Sequence, residues 1–477
     1  MRYRVPYTDK FTVARLNIGI IFGYAADMTV LTPGHPNARP LDPGTVRERV
    51  AAHMLADGFE FVLDLDRSHG STLVDARDGS EYLDLFTFFA SSALGMNHEA
   101  LAADPAFLAE IAAVAVNKPS NSDIYTVPMA RFVETFYRVL GDPALPHLFL
   151  IDGGALAVEN ALKIAFDWKS RRNESRGIDP ALGTSVLHME HAFHGRTGYT
   201  MSLTNTDPVK VARFPKFDWP RIPSPAVNLH DDVAGLAAAE AAALAAAREA
   251  FEARPHDVAC FIVEPIQGEG GDNHFRPSFL QAMQALCREF DALFILDEVQ
   301  TGVGLTGTAW LYQQLGLAPD VVVFGKKTQV CGVMAGGRVD EVPDNVFRVA
   351  SRINSTWGGN LTDMVRSRRI LEVIEADGLI ERAAALGRHL LAELHGLAAR
   401  HPGLVTHPRG RGLMCALTLP TAAVRDEVVR RLREQERVIM LGCGAASLRF
   451  RPALTVTADE LDRALAALDR VLAGIGS

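Results

Sequence analysis

No stretch of this 477-residue chain is long and apolar enough to cross a membrane as a helix, which takes about 20 residues. Cysteine is scarce: five residues, Cys260, Cys287, Cys331, Cys415 and Cys443, none in a CxxC pair and none with histidine at ligand spacing. A zinc site is therefore not expected, and no metal is. Scattered, odd-numbered cysteines with apolar neighbours predict reduced, mostly buried thiols in the cytoplasm. Positive charge is also short. Lys and Arg total 48 against 57 Asp and Glu, a net charge of −9. Neither nucleic acid nor an anionic membrane is an expected partner, because both need a basic surface. The basic cluster 430–437 is interrupted by Leu432, Glu434 and Glu436 and reads as a solvated helix face.

What remains is the composition of an ordinary globular protein, long enough for two to three domains of about 150 residues. The start is unusual. Basic residues from Arg2 to Arg15 precede an apolar run at 18–24, loosely imitating a secretory leader. The run is short and lies between Asn17 and Asp27, so we read a disordered leader or a start at Met28. A Pro-rich arm is expected at 31–44 and a helix at 46–55. Short strands are expected at 61–65, 72–75 and 82–86, with a turn at Gly79-Ser80. From 97 to about 353, strands (147–151, 185–189, 258–264, 292–297, 321–324) alternate with helices (104–114, 127–140, 157–171). That alternation predicts βαβ units and a mainly parallel sheet. The Ala-rich stretch 233–254 reads as a helical surface connector. Beyond 361 come helices at 364–397, interrupted near Gly378, and at 457–473, with strands near 412–418 and 447–450. The fold class is α/β: a large domain (97–355) with a mainly parallel sheet, and a smaller α+β domain (356–477) that recruits the N-terminal part (1–96).

Four local patterns carry chemistry. Asp152-Gly153-Gly154-Ala155 lies between a strand and a helix, where small residues let backbone N–H groups approach an anion. Asp297 ends an apolar run, at the strand end where open α/β sheets place ligands, and would need a cationic partner there. Gly325-Lys326-Lys327 ends the next run. A lysine desolvated at such a place loses its proton more easily, as a nucleophilic amine must. Phe193-His194-Gly195-Arg196 offers a ring to stack and a guanidinium to grip a carboxylate. Each has a bland alternative: a plain turn, a helix cap, a surface lysine, a core phenylalanine. Spacing alone does not choose between Lys326 and Lys327. Together, however, the four fall at one edge of one sheet and match a phosphate, a flat ring, a ring nitrogen and an aldehyde, the inventory of pyridoxal 5'-phosphate.

At this point a resemblance becomes specific. DEVQTGVGLTG (297–307), PDVVVFGKK (319–327), FHGRT (193–197), VEPIQGEGG (263–271) and GGALAVENALK (153–163) resemble class III (omega) aminotransferases of fold type I, over nearly the whole chain from about residue 42. FASSALGMN (89–97), FGKKTQVCGVMAGGR (324–338) and INSTWGGNLTDMVR (353–366) are similar to the L-lysine 6-aminotransferase subgroup, which moves the ε-amino group of L-lysine to 2-oxoglutarate. The resemblance implies roles. Lys326, not Lys327, would carry the cofactor. Asp297 would face its ring nitrogen, Gln300 its phenolic oxygen, Gly154 and Ala155 its phosphate, and Phe193 its ring. Thr356 would reach the phosphate of a second subunit, which implies a homodimer. Arg449 would take the acceptor's α-carboxylate, Glu269 would neutralise Arg449 when lysine is bound, Arg196 would grip lysine's α-carboxylate, and Asn354 would stand on the substrate side. Two departures from the class pattern stand out. The phosphate turn is Gly-Gly-Ala rather than Ser/Thr-rich, and Leu305-Thr306-Gly307 replaces the usual Arg-Thr-Gly. Another ω-amine as donor (ornithine, 4-aminobutyrate or a diamine) is the alternative.

Overall fold

The computed structural model describes residues 41–475. The expected leader, the start at Met28 and most of the Pro-rich arm lie outside the described residues. Two compact units divide after Gly58. The first contains a 3-10 turn, Pro43–Thr45, and a helix, Val46–Ala51, shorter than the 46–55 expected. Every candidate site residue belongs to the second.

The second unit is built on a seven-stranded sheet. Its order is His147–Ile151, Cys331–Ala335, Val321–Phe324, Leu293–Asp297, Val258–Val263, Ser185–Met189 and Arg221–Ile222. Val258–Val263, Leu293–Asp297 and Val321–Phe324 are buried at every position. Strands covered on both faces need apolar side chains throughout, which is why they read as unbroken runs. Their pairings are parallel. Cys331–Ala335 alone runs antiparallel, to both of its neighbours. It was not among the expected strands, because Gly332 interrupts the pattern. A Cβ at Gly332 would lie 2.1 Å from the carbonyl oxygen of Phe149, so close strand packing excludes any larger residue.

The register aligns the strand ends. Val323 is level with Asp297, Leu296 with Val263, and Ile151 with Cys331. The segments that follow Ile151, Asp297 and Phe324 therefore leave from one edge. Ser185–Met189, parallel to Val258–Val263, delivers residues 190–197 to the same edge. A 22-residue helix, Gly154–Ser175, starts there and buries Ala157, Ala161, Ala165 and Trp168.

A four-stranded antiparallel sheet holds Thr406–Arg411, Met414–Thr418, Ser447–Phe450 and Leu441–Cys443. The first and last were not expected; Pro408, Gly410 and Gly442 dilute their pattern. The expected helical interruption is real: Leu361–Ala376 and Leu379–Arg400 are separate helices, with Gly378 at φ +57° between them. Val438–Ile439 pairs with Glu81–Asp84, so an early and a late strand share a sheet with Thr72–Val74.

Two expectations need correction. Residues 61–65 form only an isolated bridge, Leu63 with Asp75. The Asp64 carboxylate accepts from the backbone of Asp66 and Arg67 and turns the chain before a ladder can extend. The Ala-rich helix Val233–Ala253 is not simply a surface connector, since it buries Leu236, Ala243, Ala247 and Phe251. All five cysteines are free and buried, and among the described residues no helix is long and apolar enough to cross a membrane.

Glu298 shows how the site edge is stabilised. Its buried carboxyl accepts from the backbone N–H of Leu311 and Tyr312, each at 2.8 Å, and from Thr301 Oγ1 at 2.9 Å. Burial pushes it up to about 7, and those donors oppose the shift. It ties the loop after Asp297 to the helix Leu311–Leu315. Replacing Glu298 with Ala leaves buried donors unpaired and is expected to lower stability by about 2–4 kcal/mol. Urea unfolding measures this; an unchanged midpoint contradicts the assigned role.

Candidate active site

At the aligned strand ends lies a cavity of about 460 Å³, lined by Gly154, Ala155, Phe193, Arg196, Glu264, Asp297, Gln300 and Lys326 among others. Seven of the residues singled out in sequence thus meet in one place. Glu269, Arg449, Asn354 and Thr356 are not part of this lining.

Lys326 follows the strand Val321–Phe324 and opens a 3-10 turn, Lys326–Thr328. Its φ is +53°, a left-handed conformation uncommon outside glycine and often stored at working sites. Its amine is held below the ordinary lysine range mainly by burial, with Arg449 and Arg451 adding to the effect and Asp297 and Glu264 opposing it. Lys327 faces elsewhere: it is 1% exposed, and its Nζ donates to the carbonyl of Ala90 at 2.8 Å. The adjacent lysines, indistinguishable by spacing, are separated by geometry.

Asp297 is buried, and its Oδ2 lies 2.8 Å from His194 Nδ1 while Oδ1 accepts from the Val299 N–H at 3.2 Å. Glu264 stands nearby. Its two oxygens accept from the backbone N–H of Phe193 (2.9 Å) and Gly268 (3.2 Å). Burial pushes Glu264 up to about 7; His194 and the backbone donors oppose the shift, and the Asp297 charge reinforces it. Gln300 Oε1 accepts from Arg451 Nε at 3.0 Å, and Arg451 is also paired with buried Asp272. Arg196 is exposed to the cavity and has no ion pair with any described residue. Beside the cavity, Arg449 Nη2 donates to Glu269 Oε2 at 3.1 Å, and Lys210 Nζ donates to Glu269 Oε1 at 2.6 Å.

Asn354 and Thr356 are exposed, on a loop held from behind. Asn121 Nδ2 donates to the carbonyls of Trp357 and Gly359, and Ser122 Oγ to that of Ser355. Sequence reading assigned no role to His194, Glu264, Asp272, Lys210 or Arg451. His194, Glu264 and Asp272 lie in or next to the family-like motifs and Arg451 two residues after Arg449, so a signal was present. Lys210 lies in none.

The donor set fits pyridoxal 5'-phosphate on a structural test. The helix Gly154–Ser175 begins without a side-chain cap and with no acidic residue in its first turn, leaving N–H donors for a phosphate. Gly195 lets that turn close on the Phe193 loop: its φ is +118°, and a Cβ there would lie 2.4 Å from the Cβ of Ala155. Across the cavity stand a ring (Phe193), a buried carboxylate (Asp297) and an amine with a depressed pKa (Lys326).

Fold and site together define a pyridoxal-phosphate enzyme, and residues 55–472 match the family model described as aminotransferase class-III. The chain belongs to the class III aminotransferases and depends on pyridoxal 5'-phosphate as they do. It is 67% identical to L-lysine-epsilon aminotransferase of Mycobacterium tuberculosis over 434 residues, 91% of this chain and 96% of that one. The protein of the same name in Streptomyces clavuligerus is 59% identical over 442 residues, 91% of this chain and 96% of that one. The solved structure of lysine aminotransferase from M. tuberculosis superimposes with a TM-score of 0.90 at 66% identity, covering 91% of this chain and all 100% of that one.

Gly195→Ala tests the phosphate turn. Overpacking of about 1–3 kcal/mol between residues 155 and 195 is expected to weaken cofactor binding roughly tenfold or more. Equilibrium dialysis against the cofactor reads it out; unchanged affinity would show that the close approach is dispensable.

Proposed function

We propose that this enzyme transfers the ε-amino group of L-lysine to 2-oxoglutarate, giving 2-aminoadipate 6-semialdehyde, which cyclises to piperideine-6-carboxylate, and L-glutamate. We place it in the cytoplasm as a homodimer. The observation that carries the reading is that two arginines stand in different states: Arg196 has no ion-pair partner among the described residues, whereas Arg449 is held by Glu269.

With Glu269 in place, Arg449 offers no net charge, and a monocarboxylate is drawn to Arg196 instead. That orientation directs the far amine of an ω-amino acid, rather than its α-amine, to Lys326. A dicarboxylate needs the second station as well and must displace Glu269. Opening the pair without a replacement anion leaves a buried guanidinium uncompensated, a cost of about 3–5 kcal/mol. The pair therefore opens for the acceptor and stays closed for the donor. Identity with enzymes named for lysine at the ε-position favours lysine over shorter amines.

When bound, pyridoxal phosphate supplies an aldehyde for the amine and a ring that accepts electrons. The protein's share is proton handling and orientation. Lys326, kept short of protons by burial, takes a proton from the substrate carbon that bears the amine and later returns one. Asp297, oriented by His194, would hold a proton at the cofactor's ring nitrogen. Gln300 would serve its phenolic oxygen and Phe193 its ring face. The exposed loop with Thr356 and Asn354, braced by Asn121 and Ser122, is suited to reaching the phosphate and substrate side of a second copy's site.

The direct test is product formation from lysine and 2-oxoglutarate, with ornithine and 4-aminobutyrate in parallel. Cyclised semialdehyde from lysine is expected to dominate; a preference for either rival would replace lysine as donor. Lys326→Ala is expected to abolish turnover and the bound-cofactor absorbance, whereas Lys327→Met keeps that absorbance and lowers stability. The reverse pattern would exchange their roles. Glu269→Ala is expected to slow the lysine half-reaction more than the glutamate half-reaction, and equal losses in stopped-flow traces would rule out the two-state pair.

A further inference from the structure

Glu269 is held by two cations rather than one. Arg449 comes from the strand Ser447–Phe450 and Lys210 from the short helix Pro208–Val211. The Arg449 side chain is 4% exposed, Lys210 19% and Glu269 28%, so the lysine is the more solvated partner. Lys210 is also firmly placed. Asp207 caps its helix, accepting from the Val209 N–H at 2.9 Å. Upstream, Asn205 Nδ2 donates to the carbonyls of Met189 and Leu203, fixing the segment to the end of a sheet strand. The ammonium lies 5.5 Å from the centroid of the Phe193 ring, which lines the cavity.

We propose that Lys210 is the holding station for Glu269 during the dicarboxylate half of the reaction, a positioning residue that keeps the displaced carboxylate compensated. The inference rests on the reading that Arg449 receives the acceptor's carboxylate. Charge balance is its main support. Once that carboxylate arrives, two anions, it and Glu269, share a small volume. Arg449 neutralises one of them. Lys210, already on the other oxygen of Glu269, neutralises the second. Glu269 can therefore leave Arg449 by turning about its own side-chain bonds while its Oε1 contact persists. Without Lys210, the freed carboxylate would stand beside the incoming one with no cation of its own, and like-charge proximity in a partly desolvated site is unfavourable. In the donor half, Glu269 stays on Arg449 and the excess positive charge of Lys210 sits on the solvated side, where water screens it.

Removing Lys210 thus biases the pair toward its closed state. The effect is opposite to that of Glu269→Gln, which loosens the closed state. The test is a double-mutant comparison on the holoenzyme, following the cofactor spectrum in each half-reaction by stopped flow. Lys210→Met is expected to raise the 2-oxoglutarate concentration for half-saturation roughly tenfold, the scale of one partly buried charge pair, and to change the lysine half-reaction far less. In a Glu269→Gln background, the same substitution is expected to add almost nothing. Lys210→Arg should restore most of the affinity. An undiminished loss in the Glu269→Gln background would mean that Lys210 touches the ligand itself and would overturn the proposal. So would equal losses in both half-reactions, the mark of a purely structural lysine. Arg449→Gln, run in parallel, separates the two levels: unaltered 2-oxoglutarate saturation there would remove the carboxylate station, and the Lys210 proposal with it. A normal loss in Arg449→Gln with no effect of Lys210→Met would remove only the latter.

Discussion

A lysine amine can act as a nucleophile and base near neutral pH only if its surroundings make protonation costly, and the surroundings of Lys326 meet that requirement. Burial lowers the affinity of Lys326 for a proton, and Arg449 and Arg451 lower it further. Lys326 stands where it does because Val323 is level with Asp297 in the parallel ladder. Asp297 in turn pulls the lysine back toward its charged form, so the amine is balanced between opposing neighbours rather than simply stripped of its proton.

The same low-dielectric environment obliges the other buried charges at this edge to have partners. Asp297 has His194, Asp272 has Arg451, and Glu269 has Arg449 and Lys210. Glu264 and Glu298 have backbone donors instead, and both are pushed up to about 7. A carboxyl that titrates near neutrality carries only part of a negative charge there, so Asp297 is less crowded than it would be beside a second full carboxylate. Arg196 stands apart among the arginines of the site, since it has no carboxylate of its own among the described residues.

How far the sequence reveals this depends on what each feature leaves in the chain. Buried parallel strands leave apolar runs, so the strand ends at Ile151, Asp297 and Phe324 were legible, and the residues just beyond them gathered in one cavity. Cys331–Ala335 was not legible. Close packing on Phe149 demands glycine at 332, and glycine reads as a break. The bridge at Leu63 went the other way: an apolar run at 61–63 promised a strand, and a single Asp64 side chain turned the chain before pairing could extend. Pairings across long sequence separations leave no local trace at all. Lys210 and Glu269 are 59 residues apart, and Arg449 and Glu269 are 180 apart. The latter pair is implied only by the family resemblance, and Lys210, outside the family-like motifs, is placed beside Glu269 only by the fold.

The two adjacent lysines show what backbone conformation adds to residue type. In an extended strand, neighbouring side chains point to opposite faces, and in a helix they diverge by about a third of a turn. Neither pattern alone says which of Lys326 and Lys327 enters the cavity. The chain leaves its strand at Gly325, and Lys326 takes a left-handed φ as a 3-10 turn begins. That single step lets Lys326 line the cavity while Lys327 runs to the carbonyl of Ala90. Residues Thr87 to Ala90 themselves lie at positive φ, held by the Asp84 carboxylate on the Thr87 N–H and by Lys327 on Ala90. Runs of positive φ outside glycine are costly, about 1–2 kcal/mol per residue, and persist only where surrounding bonds outweigh them. Lys327 is therefore more than a bystander to its neighbour. By binding a strained turn it anchors the chain immediately after Lys326, whose own side chain lines the cavity.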